Sequence, residues 1–116
     1  MNASAVVDSV LVLDDDPQVL RLMCEVLQRA GYPVIGADNL RTAHALSGPF
    51  SLIVFDRHLP DGDGWTYAAQ WRVRGVRVLC ITGSSQAQLP GIPLLRKPFS
   101  PSTLIAAVGE LIGSPT

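Results

Sequence analysis

The chain has 116 residues, 47% apolar and 16% charged, with nine basic against ten acidic side chains for a net charge of -1. This is the profile of one ordinary globular domain, long enough to bury a core without disulfides or metals. The lack of a basic excess argues against a nucleic-acid-binding surface, and no apolar run approaches the roughly 18 residues of a membrane span. Met1 to Asp8 has neither the basic start nor the apolar core of a signal peptide. The cytoplasm is therefore the expected compartment, and Cys24 and Cys80, both inside apolar segments, are expected as small buried thiols.

Residues 1–8 read as a flexible tail, 9–113 as the folded domain and 114–116 as a frayed end. Val10 to Asp14 has the length and β-branching of a buried strand. Asp16-Pro17 then starts a helix, Asp as cap and Pro in the first turn, with Val19, Leu20, Met23, Val26, Leu27 and Ala30 at helical spacing until Gly31. Tyr32 to Ala37 is a second strand. Asn39 caps a helix from Leu40 to about Leu46, and Phe50 to Phe55 is a third strand ending at Asp56. Arg57 to Gly64 is a loop, with Asp61 and Asp63 as loop and cap residues. A helix follows from about Asp63 to Arg72, with Trp65 and Trp71 packing toward the sheet and Gly75 as breaker.

Val76 to Ile81 is the fourth strand and Thr82-Gly83-Ser84-Ser85 a loop. Gln86 to Gly91 has room for one or two helical turns at most. Ile92 to Arg96 is a fifth strand, placed at an edge by Pro93. Lys97-Pro98-Phe99 is a turn, and Ser100-Pro101 opens a last helix bearing Leu104, Ile105, Val108, Leu111 and Ile112. Strands alternating with helices, the strands almost continuously apolar, predict a parallel sheet covered on both faces.

In such folds ligands bind beyond the carboxyl ends of the strands. Polar residues cluster at those positions: Asp14, Asp15 and Asp16 after the first strand, Asp56 after the third, Thr82 after the fourth and Lys97 after the fifth. Asp14, Asp15 and Asp56 on one rim carry more negative charge than a single lysine balances. A hard divalent cation such as Mg2+, which prefers oxygen ligands and tolerates retained waters, suits them. A carboxylate, a divalent cation, a hydroxyl and a lysine are the parts needed to accept a phosphoryl group. No Gly-rich Walker loop is present, which argues against ATP binding.

Val10-Leu-Val-Leu-Asp-Asp-Asp-Pro17, Leu52-Ile-Val-Phe-Asp-Arg-His-Leu-Pro-Asp-Gly-Asp-Gly64, Cys80-Ile-Thr-Gly83 and Arg96-Lys-Pro-Phe99 together resemble the receiver domain of two-component response regulators, over about residues 9 to 113. The resemblance implies a flavodoxin-like doubly wound five-stranded parallel sheet of order 2-1-3-4-5. It implies Asp56 as phosphoryl acceptor, with Thr82 and Lys97 bonding the phosphoryl group. Mg2+ would be held by Asp14, Asp15, Asp56 and the backbone carbonyl of His58, Asp14 often acting through water. The Lys97-Pro98 bond is expected to be cis. The implied donor is a histidine kinase or histidine phosphotransfer protein, and the implied output is altered binding of a downstream protein. Neither direct nucleic-acid contact nor membrane insertion is expected. Such a domain is not an enzyme toward other substrates; it catalyses only its own phosphorylation and dephosphorylation.

Two departures from the family stand out. Thr82 and Lys97 are fifteen positions apart where about twenty or more are usual, so the fourth helix is expected to be short or missing. Leu94 stands where an aromatic ring normally swings inward on activation. Both favour an alternative, a receiver-like protein-interaction module that rarely or never takes phosphate, whereas the complete acidic set favours phosphorylation. An aspartyl phosphohydrolase is disfavoured because His58 occupies its second-Asp position and no cap region encloses substrate. A flavin carrier is disfavoured by the acidic rim.

Overall fold

A computed structural model of the chain describes residues 8–83 and 89–115. The elements run β1 (Ser9–Leu13), α1 (Pro17–Arg29), β2 (Val34–Ala37), α2 (Leu40–His44), β3 (Phe50–Asp56), β4 (His58–Leu59), β5 (Gly62–Asp63), α3 (Gly64–Val73), β6 (Arg77–Thr82), β7 (Leu94–Arg96) and α4 (Pro101–Ile112). Five strands form one sheet of order β2-β1-β3-β6-β7, and every pairing within it is parallel. This is the doubly wound order expected, with β1 and β3 central and the direction of winding reversing between them.

Alternation along the central strands feeds two apolar layers. Val10, Val12, Leu52, Val54, Leu79 and Ile81 face Met23 and Leu27 of α1 and Leu104 and Val108 of α4. Leu11, Leu13, Ile53, Phe55, Val78 and Cys80 face Ala43 of α2 and Tyr67 and Ala68 of α3. Both sheet faces are dry, which is why the strands read as unbroken apolar runs. Trp65 stacks on Phe55 and Trp71 meets Phe50 edge-on, so both indoles are packing residues as expected. Cys80 is buried, which pushes its thiol up to about 11, and half-buried Cys24 is also raised by burial. His44 is exposed, its ring edge-on to Tyr67.

The helix starts follow the sequence. Asp16 accepts from the amides of Gln18 and Val19, Asn39 from Thr42, and Ser100 from Thr103. Several boundaries differ. β2 begins at Val34, not Tyr32, because the Tyr32 amide closes the last turn of α1 on Leu27 while its hydroxyl donates to the Gly113 carbonyl at 2.8 Å. α2 stops at His44 because the next amides fold back in a tightened turn on Arg41, Thr42 and Ala43. β7 is shortened to Leu94–Arg96 because the Ile92 amide turns back to Leu89. The segment from Arg57 to Gly64 is not a plain loop: β4 and β5 pair antiparallel, His58 opposite Asp63. Among the described residues no helix lies between β6 and β7. The expectations for Met1 to Val7, for Ser84 to Gln88 and for Thr116 lie outside the described residues.

Candidate functional site

Asp14 follows β1 directly, and its amide bonds the Ala37 carbonyl of β2. The residue is fully buried. Its Oδ1 accepts from the Asp16 amide at 2.9 Å. Its Oδ2 stands 3.0 Å from Lys97 Nζ, close enough for charge attraction, but makes no hydrogen bond. Burial, the largest influence, pushes the Asp14 carboxyl above its ordinary range, against the pull of the Asp16 amide and Lys97. A buried carboxylate with a spare lone pair is costly unless a further cation or donor meets it.

Asp56 ends β3. Its Oδ1 accepts the His58 amide at 2.9 Å and its Oδ2 accepts Lys97 Nζ at 3.1 Å. Both oxygens are oriented, yet the side chain keeps 13% of its exposure, which leaves an approach from solvent. Asp15 is exposed beside them. One carboxylate oxygen from each of Asp14, Asp15 and Asp56 lies within 4.8 Å of the others. Lys97 arrives from the opposite side, after β7. Its amide donates to the Thr82 carbonyl at 2.7 Å, which fixes its start against the end of β6. Burial opposes the ammonium charge, but the attraction of the Asp14 carboxylate and the bond to Asp56 outweigh it and raise the lysine pKa above its ordinary value. The Lys97-Pro98 bond is cis, as expected.

Asp14, Asp15, Asp56 and Lys97 thus converge on one notch, and Thr82 ends β6 at the same rim with only 3% exposure. His58 contributes its amide to Asp56, and its side chain is exposed.

The sequence did not disclose how the acceptor loop is held. Arg57 makes a two-point contact with Asp63, at 3.3 and 2.7 Å, which holds the Asp63 carboxyl below its usual range and raises the arginine. Asp63 also caps α3 through the Trp65 amide. Asp61 reaches across to α2 and accepts the Leu40 and Arg41 amides at 2.8 and 3.0 Å, which lowers its pKa. Both acids were assigned as loop or cap residues; that Asp61 caps a helix about twenty positions earlier leaves no local signal. At Gly64 a Cβ would collide with the Asp56 carbonyl, so only glycine lets α3 start this close to the acceptor.

The sheet order and this notch at its switch point are those of a receiver. The family model for the response regulator receiver domain matches residues 10–109, and the chain belongs to that family. The transcriptional regulatory protein AruR of Pseudomonas aeruginosa is 33% identical over 123 residues, covering 93% of this chain and 50% of AruR. CusR of Escherichia coli K12 is 32% identical over 113 residues, covering 88% of this chain and 50% of CusR. The chain spans about half the length of these curated relatives. Among solved structures, the response regulator TrrA of Thermotoga maritima, in complex with Mg(2+)-BeF, superposes with a TM-score of 0.80 at 26% identity, covering 90% of this chain and 98% of that one. The chemotaxis response regulator CheY4 of Vibrio cholerae gives 0.77 at 25% identity, covering 91% and 99%.

Proposed function

We propose that residues 9–113 form a phosphorelay receiver in which Asp56 accepts a phosphoryl group from a histidine kinase or a histidine phosphotransfer protein. The observation that carries this reading is the single ammonium of Lys97 lying 3.0 Å from Asp14 and 3.1 Å from Asp56, with Asp15 beside them. One positive charge faces three carboxylates. The buried Asp14 oxygen without a hydrogen bond and an all-oxygen donor set fit Mg2+. Asp14, Asp15, Asp56 and the His58 carbonyl would hold the ion, which supplies neutralisation of the charge that gathers on the phosphoryl oxygens.

The rest of the work falls to this chain's own atoms. An Asp56 oxygen attacks phosphorus, the bond to the donor nitrogen breaks, and an acyl phosphate forms. The His58 amide and Lys97 orient the carboxylate before attack. Lys97 then shifts its charge toward the new phosphoryl oxygens, joined by the Thr82 hydroxyl. The chain acts on itself and is not an enzyme toward other substrates. Its readout is a change in binding to a downstream protein, in the cytoplasm, without direct nucleic-acid contact of its own. AruR and CusR are named as transcriptional regulators, so control of transcription through a further module or partner is the output this kinship favours.

The test is to incubate the protein with Mg2+ and acetyl phosphate and weigh it intact. The expected result is the added mass of one phosphoryl group, lost with Asp56→Asn and without Mg2+. Leu94 supports a second reading, an interaction module that takes no phosphate, because it has no ring to couple with Thr82. A Mg2+ titration separates the two, since an inert module leaves the metal unbound.

A further inference from the structure

The end of the sheet opposite the acidic notch has the opposite character. α3 finishes and β6 begins through Arg72, Val73, Arg74, Gly75, Val76 and Arg77. Three clefts adjoin there and share these side chains. Arg72 and Arg77 line one with Val76 and Leu111, Arg74 and Arg77 line the next, and Arg74 with His44 lines the third. Val73 between them is 89% exposed. Among the described residues, none of the three arginines pairs with a carboxylate, whereas Arg57 and Lys97 at the other end both do. Asp8 is the acid that lines the middle cleft.

A basic residue in the last turn of a helix complements the helix dipole, and that accounts for Arg72 and the cap Arg74. It does not account for Arg77, which is on a strand and continues the same surface. We propose that this belt is a docking surface for an acidic segment of a partner protein with interspersed apolar side chains. The acids would meet Arg72, Arg74 and Arg77, and the apolar groups would cover Val73, Val76 and Leu111. Charge complementarity selects the occupant. The chain's own Met1 to Val7 carries no acidic side chain, so it does not supply one. Nucleic acid fits less well: the net charge is -1, and Trp71 is engaged by Phe50 and by Arg74 at 4.8 Å, which leaves it unfit for base stacking. Because the parallel strands separate this belt from Asp56 by their full length, an occupant there does not compete with a phosphoryl donor.

The experiment uses a labelled peptide of alternating glutamate and leucine, a lysine-leucine counterpart and a single-stranded oligonucleotide of matching charge, followed by anisotropy at low and moderate salt. The acidic peptide is expected to bind and to weaken with salt. Its amide perturbations on the wild-type protein are expected to centre on 71–78, Gly91 and Ile92. Arg72→Gln combined with Arg77→Gln keeps the Arg74–Trp71 contact and is expected to weaken binding by about tenfold. The proposal is overturned if the acidic peptide does not bind, if the perturbations fall elsewhere, if the double variant binds unchanged, or if the oligonucleotide binds more tightly than the peptide.

Discussion

The rim over β1 and β3 and the rim over β6 and β7 are built differently. On the first, every acidic side chain but Asp15 is tied: Asp14 to the Asp16 amide and by charge to Lys97, Asp16 to the Gln18 and Val19 amides, Asp56 to the His58 amide and Lys97, Asp63 to Arg57, and Asp61 to α2. On the second, a three-residue strand carries Lys97, and no described helix covers the crossover that precedes it. The half that would perform the chemistry is fixed in advance, as catalysis by oriented charge requires. The other half has only the three-residue β7 and, among the described residues, no helix in the crossover that leads to it.

The largest break in this contrast is expected from Gly64→Ala. The new methyl meets the Asp56 carbonyl, so α3 and the acceptor strand must move apart, and the variant should lose about 3 kcal/mol or more in a denaturant titration, or fail to fold. Next is Lys97→Met. It leaves the buried Asp14 carboxylate facing Asp56 without its cation. Complete burial would cost about 3–5 kcal/mol, but the Lys97 side chain keeps 25% exposure, so a loss of about 1–2 kcal/mol without metal is expected, partly restored by Mg2+. A variant as stable as wild type would show that Lys97 does not hold the two carboxylates together.

Much of this was legible beforehand. A parallel sheet covered on both faces follows from unbroken apolar runs alternating with helical spacing, its strand order from the resemblance to receivers, and the notch from acids and a lysine placed just after those runs. Hidden from the sequence were the individual bonds that tie loops and helix ends to distant parts of the chain. Tyr32 reads as a strand residue until Gly113 offers it a carbonyl. Asp61 reads as a turn residue until α2 presents two open amides. The β4–β5 hairpin is too short for any periodicity to register.

A smaller effect concerns the tie from the acceptor loop to α2. Asp61 bonds two amides, and its pKa is lowered in the folded state. Its contribution is fully present above the ordinary carboxylate value of 3.8 and disappears as pH falls through the lowered folded value. Asp61→Ala should therefore melt below wild type at neutral pH, by less than Lys97→Met, with the two curves converging in strong acid. A gap that stayed constant across that range would separate the loss from the carboxylate charge.

The smallest effect is expected on the readout side. With Leu94 in place of a ring, adding Mg2+ and beryllofluoride should shift the amides next to Asp56 and Thr82 strongly and those across Ile92 to Ser100 only weakly. Broad shifts along that segment would mean that the two rims are coupled by another route.

The most direct measurement is to phosphorylate the protein with acetyl phosphate and Mg2+, reduce the acyl phosphate with borohydride and map the modified peptide. Homoserine at position 56, and at no other aspartate, is the predicted result. Homoserine at position 14 or 15, or no conversion of a protein shown to bind Mg2+, would contradict the assignment of Asp56 as acceptor.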